Sequence, residues 1–165
     1  MSVTRQQLSG KTYDQNNFYP LTLLSLNDIF RESMRKIQQL FPRVKIIVRC
    51  ESLPVIKGNQ EDISQAFEEL IGLIFLQSAT TSQLLLYIDC EDEVQLSEQQ
   101  IITEGFKYYT IKFRTNIFPN GSWEDANKEL LARCRLVFSM HNAKFQVNTL
   151  NHTGFLFSIS VPGKN

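Results

Sequence analysis

The apolar positions of this chain recur with a period of about 3.6 residues in some segments and alternate with a period of two in others. The helical pattern predicts three helices, over residues 27–41, 60–77 and 123–141. Asn27 is the expected cap of the first, and Asn59 begins a capping box at the start of the second. The segments between the helices are therefore where strands are expected.

Those intervening segments are rich in β-branched and aromatic residues, which predicts strands. The expected strands cover residues 44–50, 55–57, 83–90, 108–114, 144–149 and 154–161, with the last two forming a hairpin. The acidic, Gln-rich stretch over residues 91–105 is predicted to be a surface loop.

This order of elements predicts an α+β fold, a two-layer α/β sandwich in which three helices lie on one face of a mixed sheet. The polar residues 1–20 are interpreted as a tail or linker remnant, and residues 21–165 as the domain. The residues expected to be buried together are Ile63, Phe67, Leu70, Ile74, Val137 and Phe157.

Composition narrows the function classes. With 165 residues and 42% hydrophobic content, the chain is long enough for one sizeable core. Lys plus Arg and Asp plus Glu both number 17, so no net charge favours a nucleic-acid partner. No signal region or membrane-length apolar run occurs, which predicts a soluble, cytoplasmic segment without membrane contact.

Two segments carry a family resemblance. Residues 57–63 read Lys-Gly-Asn-Gln-Glu-Asp-Ile and lead into the second apolar helix, and residues 154–162 read Gly-Phe-Leu-Phe-Ser-Ile-Ser-Val-Pro. Between them, residues 140–145 read Met-His-Asn-Ala-Lys-Phe at a helix-to-strand corner. Together with the order of elements, these segments resemble the ATPase domain of histidine kinases, in the GHKL superfamily.

The resemblance implies an ATP site whose motifs are largely missing here. Leu73 stands where the family places the Asn that holds magnesium. Thr115 replaces the Asp that recognises adenine, Asn116 follows it, and Ile117 takes the place of the first motif glycine. A β-branched residue does not adopt the backbone that such a turn needs. We therefore expect no cofactor, and ATP with magnesium only if the motifs are diverged rather than lost.

The second glycine-rich motif of the family should fall at residues 127–131, which begin with Asn127 and contain no glycine. Glu69 stands where ATP-hydrolysing relatives carry the Glu that activates water, and it is a weak candidate for a general base. The alternative, which we favour, is that Glu68 and Glu69 belong to the solvated stripe of the helix.

The histidines and cysteines are the remaining residues that could carry chemistry, and each also has a simpler structural role. His141 is expected at the helix-to-strand corner, where the helix C-terminus would favour its protonated form, and His152 in the final hairpin turn. The cysteines, Cys50, Cys90 and Cys134, lack metal-ligand spacing and are expected to act as small buried hydrophobes; no metal is predicted.

Residues 116–123 place large apolar side chains in a turn-rich segment. Ile117, Phe118 and Trp123 are candidates for a protein interface, and the favoured alternative is that they pack inward to fill a vacated nucleotide pocket.

Three functions stay open. The favoured one is a degenerate, non-catalytic binding or scaffolding module of two-component-type signal transduction, whose partner is a protein of that pathway or a second copy of the chain. The others are an active ATP-binding kinase domain with diverged motifs, and a dimerisation or phosphotransfer-type domain that uses the fold without ATP.

Overall fold

The computed structural model describes residues 6–8, 11–13, 20–77, 83–93, 107–117, 123–148 and 156–164. The helices are α1 (Leu26–Leu40), α2 (Gln60–Gln77), α3 (Trp123–Ala126) and α4 (Lys128–Met140). The strands are β1 (Gln6–Leu8), β2 (Lys11–Tyr13), β3 (Thr22–Ser25), β4 (Lys45–Cys50), β5 (Val55–Gly58), β6 (Gln83–Glu93), β7 (Lys107–Thr115), β8 (Lys144–Val147) and β9 (Phe157–Lys164).

The main sheet has seven strands in the order β3-β5-β9-β7-β6-β4, and β8 pairs with β9 beside β5. Its β4–β6 pair is parallel and its other pairs are antiparallel, so the sheet is mixed. Helices α1, α2 and α4 cover one face. This is the α+β two-layer architecture that the sequence predicts.

The core lies between the helices and the covered face of β6, β7 and β9. Five phenylalanines form a closed ring of neighbouring aromatic side chains with centroid distances of 5.5 to 6.3 Å: Phe67, Phe113, Phe157, Phe145 and Phe138. All six residues predicted to share the core are buried in one cluster. Burying several aromatic side chains in one contact network is a large favourable term for a domain of this size.

The start of α1 differs from the prediction. Ser25, not Asn27, is its cap, and the Ser25 hydroxyl accepts a hydrogen bond from the N–H of Asp28 at 3.3 Å. Asn27 instead forms two 3.0 Å hydrogen bonds with the backbone N–H and C=O of Leu53. A side-chain amide offers both a donor and an acceptor, so Asn27 can satisfy both groups of an irregular segment. Asn59 is confirmed as a cap, because its side chain accepts from the N–H of Asp62 at 3.2 Å.

Several other boundaries also differ from the prediction. The apolar run before the first helix forms β3, and two short strands, β1 and β2, pair within the residues interpreted as a tail. Strand β6 extends through Glu93 into the predicted loop, because its acidic side chains pair across the exposed sheet face with Lys107 and Lys112 of β7. The predicted third helix is broken into α3 and α4 at Asn127.

No helix of the described ranges is long and apolar enough to cross a membrane.

Candidate functional site

The residues at the positions of the family's nucleotide motifs lie on α2, at the end of β7 and between α3 and α4. The cleft between α2 and α4 is lined by Asp62, Gln65, Ala66, Glu69, Arg133, Cys134 and Val137, and its volume is about 10 Å³. A single water molecule needs roughly this much space. As it stands, the cleft between the two helices has no room for a nucleotide.

Glu69 joins the two helices across this cleft. Its Oε1 accepts a hydrogen bond from Gln65 at 3.3 Å and lies 3.7 Å from Nη2 of Arg133, while its Oε2 lies 3.7 Å from Sγ of Cys134. The Glu69 side chain is only 20% exposed, so the expectation that it lies on a solvated stripe is wrong. A carboxylate with these neighbours stabilises the packing of α2 against α4, and the cleft beside it has space for about one water molecule and not for a nucleotide.

Leu73 lies one turn further along α2 and is 3% exposed within the hydrophobic core. A magnesium ion requires oxygen ligands and usually keeps several of its own waters. An apolar side chain that is already surrounded by core residues supplies neither a ligand nor space for a hydrated ion.

The end of β7 carries the second set of candidates. The hydroxyl of Thr115 donates to the C=O of Ile117 at 2.7 Å and accepts from its N–H at 3.2 Å, which closes a tight local turn. The side-chain amide of Asn116 accepts from the N–H of Leu85 at 2.8 Å and donates to the C=O of Gln83 at 3.2 Å. Both polar side chains are therefore used to extend and terminate the pairing of β7 with β6.

The three apolar interaction candidates divide between different environments. Trp123 is 5% exposed and packs edge to face on Phe157, with ring centroids 5.7 Å apart. Ile117 is half-buried and packs against the same core. The structure thus places Trp123 inward, as the favoured alternative expects, and not on an open interface. Phe118 lies outside the described residues.

Asn127 holds the break between α3 and α4. Its side-chain amide donates to the C=O of Trp123 at 2.7 Å, and its backbone C=O accepts from Leu131, which starts the first turn of α4. Asn127 therefore caps the end of α3 and fixes the position of Trp123 relative to α4. One N–H of the Asn127 amide is thereby used on the backbone of α3.

His141 is buried at the C-terminal end of α4 and ties it to the start of α2. Its Nε2 accepts the N–H of Asn59 at 3.0 Å, and its Nδ1 lies 2.7 Å from the C=O of Val137. A ring nitrogen that accepts carries no proton, so this geometry requires the neutral ring with the proton on Nδ1. Gly58 makes the approach possible, because a Cβ there would lie 2.9 Å from the imidazole.

Burial lowers the pKa of His141 below its ordinary value, although the Val137 carbonyl and the charge of Asp62 act in the opposite direction. The expectation that the helix C-terminus would favour the protonated form is therefore wrong, because desolvation outweighs the helix-end effect. The corner itself is as expected. Asn142 adopts φ 56° there, the left-handed conformation that commonly ends a helix and that Asn tolerates.

The three cysteines have different environments. Cys134 is fully buried in the α2–α4 cleft, and burial together with the charge of Glu69 raises the pKa of its thiol. Cys50 is exposed at the end of β4, and Cys90 is half-buried on β6; burial raises the pKa of each to about 11. Within the ranges that the structure describes, no three His, Cys, Asp or Glu side chains are grouped to hold a metal ion. His152 lies outside those ranges.

Sequence reasoning missed the contacts that close the cleft. The pairing of Glu69 with Arg133 and the bond between Asn59 and His141 join residues far apart in the chain, and neither has a local sequence signal. The spacing of residues on α2 could have placed Glu69 beside the apolar stripe, because Ala66 and Leu70 flank its position.

Comparison with known proteins supports the fold. No family model matches the sequence, and no curated protein matches it. Among solved structures, the catalytic domain of the histidine kinase ThkA in a nucleotide-free form superposes with a TM-score of 0.59 at 15% identity, over 87% of this chain and 96% of that one.

Two further structures give the same result. The mycobacterial sensor histidine kinase MprB matches with a TM-score of 0.59 at 12% identity, over 87% of this chain and 99% of that one. The ATP-binding domain of PrrB from Mycobacterium tuberculosis matches with a TM-score of 0.59 at 11% identity, over 88% and 98%. The chain therefore has the fold of the catalytic, ATP-binding domains of histidine kinases.

Proposed function

Because the chain has this fold, we propose that it is a degenerate histidine-kinase ATPase-like domain, which acts as a non-catalytic binding or scaffolding module in two-component-type signal transduction. Its setting is cytoplasmic, and its partner is a protein of the signalling pathway. The observation that supports the proposal is the close contact between α2 and α4, where the cleft beside Glu69 has a volume of about 10 Å³.

Three features of the residues around that contact support a loss of ATP binding. Leu73 is buried at the position of the magnesium-holding Asn. Thr115 and Asn127, at the positions of the two other ATP motifs, spend their side-chain hydrogen bonds on local backbone. Each change removes a different kind of ligand contact, to metal, adenine and phosphate. A single lost contact would weaken binding, whereas three together remove most of the polar recognition of ATP.

The alternative function is a working kinase domain with diverged motifs, and Glu69 is the residue that favours it. It is the one acidic side chain at a family catalytic position, and use of it as a base would require α4 to move away from α2. That movement would break the contacts of Glu69 with Arg133 and Cys134. The two functions thus make different predictions for the cleft when ATP is present.

Isothermal titration calorimetry with ATP and magnesium tests the proposal. We expect no heat of binding at millimolar nucleotide and no phosphorylation of the chain by labelled ATP. The histidine kinase ThkA catalytic domain, measured in the same buffer, is the positive control for active nucleotide. Saturable, magnesium-dependent binding of ATP but not GTP would contradict the proposal and favour the working kinase.

Matched variants show where any such binding occurs. Glu69→Gln changes a residue at a family position, whereas Glu32→Gln changes an exposed acidic residue on α1 that pairs locally with Arg35. If ATP binds in the family's site, the first variant alters the titration and the second does not. Equal behaviour of the two variants would assign any heat to nonspecific association.

A further inference from the structure

Strand β4 is an edge of the seven-stranded sheet, and the residue pattern shows which of its backbone groups are unpaired. Glu51, just beyond the strand, donates its N–H to the C=O of Ile88 on β6 at 2.9 Å. In a parallel pair, alternate residues turn both backbone groups toward the neighbouring strand. The register with β6 therefore turns the amides of Ile46, Val48 and Cys50 outward, away from the sheet.

An apolar groove runs beside this edge. It lies between α1 and β4, has a volume of about 690 Å³, and its floor includes Phe30, Met34, Ile46 and Val48. Val48 is 38% exposed, and Ile47 on the opposite face of the strand is 52% exposed. An extended segment added to β4 would place alternate side chains over this groove and the others over Ile47.

The basic residues at the β4 edge indicate which kind of segment can bind there. Arg43, Lys45 and Arg49 lie at or beside β4, and none of them is in an ion pair with a carboxylate of the described residues. Glu51, which also lines the groove, accepts a hydrogen bond from the N–H of Cys90. Charged residues on an edge strand oppose pairing with an identical edge, because the same cations meet across the interface. They attract a segment that carries carboxylates.

We infer that the β4 edge is a docking site for an extended acidic segment of a partner protein, which adds to the sheet as a further strand. Its backbone pairs with the outward amides of Ile46, Val48 and Cys50. Its alternate apolar side chains enter the groove beside α1, and its carboxylates meet Lys45 and Arg49. Main-chain hydrogen bonds supply affinity in this mode of binding, and the alternate side chains supply specificity.

A labelled peptide that alternates valine with glutamate over about eight residues is the probe, since this is within the usual length of a strand. Fluorescence polarisation should show saturable binding that weakens as salt rises. A peptide with lysine in place of glutamate should not bind. Failure of the acidic peptide to bind, or equal binding of the lysine peptide, would overturn the inference.

Two pairs of variants locate the binding. Arg49→Glu should weaken binding of the acidic peptide by about tenfold or more. Lys57→Glu makes the same change in charge on the interior strand β5 and should leave binding unchanged. Val48→Pro removes one outward N–H without breaking the β4–β6 ladder, and should weaken binding far more than Val48→Ala. Thermal melting confirms that each variant is folded.

Other results contradict the inference. Equal losses in Arg49→Glu and Lys57→Glu would mean that net charge, not the β4 edge, attracts the peptide. Equal losses in Val48→Pro and Val48→Ala would mean that the backbone of the edge is not used. Sedimentation that shows a dimer of the wild-type chain, lost in Val48→Pro, would assign the edge to a second copy.

Discussion

The two ends of the helical layer differ in how much accessible space they leave beside the helices. At one end, α2 and α4 meet across a cleft of about 10 Å³ that the Glu69–Arg133 pair and Cys134 close. At the other end, α1 stands away from the edge strand β4 and leaves a groove of about 690 Å³. The cleft that contains Glu69 is thus narrow, whereas the groove beside β4 is open.

The difference follows from the side chains at each end. At the cleft, Glu69 of α2 meets Arg133 and Cys134 of α4. At the groove, β4 pairs with β6 only, among the strands that the structure describes, so its other edge has no neighbour there. Two helix contacts of one layer can thus differ widely in the surface they leave accessible.

The largest contrast is expected in thiol labelling, because Cys50 lines the groove and Cys134 lines the cleft. With a maleimide reagent at mildly alkaline pH, native Cys134 should react on the order of a thousandfold more slowly than Cys50, since its labelling requires the helices to open. Mass spectrometry of variants that each retain one cysteine measures the two rates.

The control for this contrast is labelling in denaturant, where both cysteines should react at similar rates. Fast labelling of Cys134 in the native protein, with Cys50 no faster, would mean that the cleft opens readily. The contrast between the two ends would then not hold in solution.

The next largest effect is expected from Trp123, which is the sole tryptophan of the chain. Trp123→Ala should lower the free energy of unfolding by about 3 to 5 kcal/mol, because it leaves a cavity against Phe157. Trp123→Phe retains an aromatic ring there and should cost much less. Urea denaturation measures both. A Trp123→Ala variant as stable as the parent would show that the indole does not fill the core at the closed end.

A smaller effect is expected from pH, through His141. Its folded-state pKa lies below that of the unfolded chain, so the unfolded state binds a proton that the folded state does not. The stability contributed by the neutral ring is fully present above the ordinary His pKa of about 6.5 and is lost as pH falls below it, at up to about 1.4 kcal/mol per pH unit.

Urea denaturation across this pH range should show the slope in the parent protein. His141→Gln should flatten it, whereas His152→Gln, at the only other histidine, should leave it in place. A slope that survives in His141→Gln, or disappears in His152→Gln, would assign the pH dependence to another group and weaken the role of His141 in joining α2 to α4.

How far the sequence predicts this molecule can be judged from particular residues. The bounds of α2 and its Asn59 cap follow from local periodicity and capping chemistry, and the structure matches them. The role of Asn27 does not, because its partner Leu53 lies 26 residues away. The sequence allows either an inward or an exposed Trp123, because the outcome depends on whether Phe157 lies near it in the fold.

The candidate site shows the same division. Missing motif residues, such as Leu73 in place of Asn, are visible in the sequence alone. The contacts that use the remaining polar residues are not, because Glu69 and Asn116 find Arg133 and Leu85 only after the strands and helices assemble. Likewise, the pKa of His141 depends on its burial, and its position at the end of a helix does not reveal that burial.

The central claim is that the cleft between α2 and α4 does not admit ATP, and the indole N–H of Trp123 tests it most directly. This group gives a single NMR resonance from a buried side chain that packs on Phe157 at the start of α3. Titration with millimolar ATP and magnesium should leave its chemical shift unchanged. A saturable shift with ATP and magnesium, absent with GTP, would contradict the account, because the nucleotide would then bind to the helical layer.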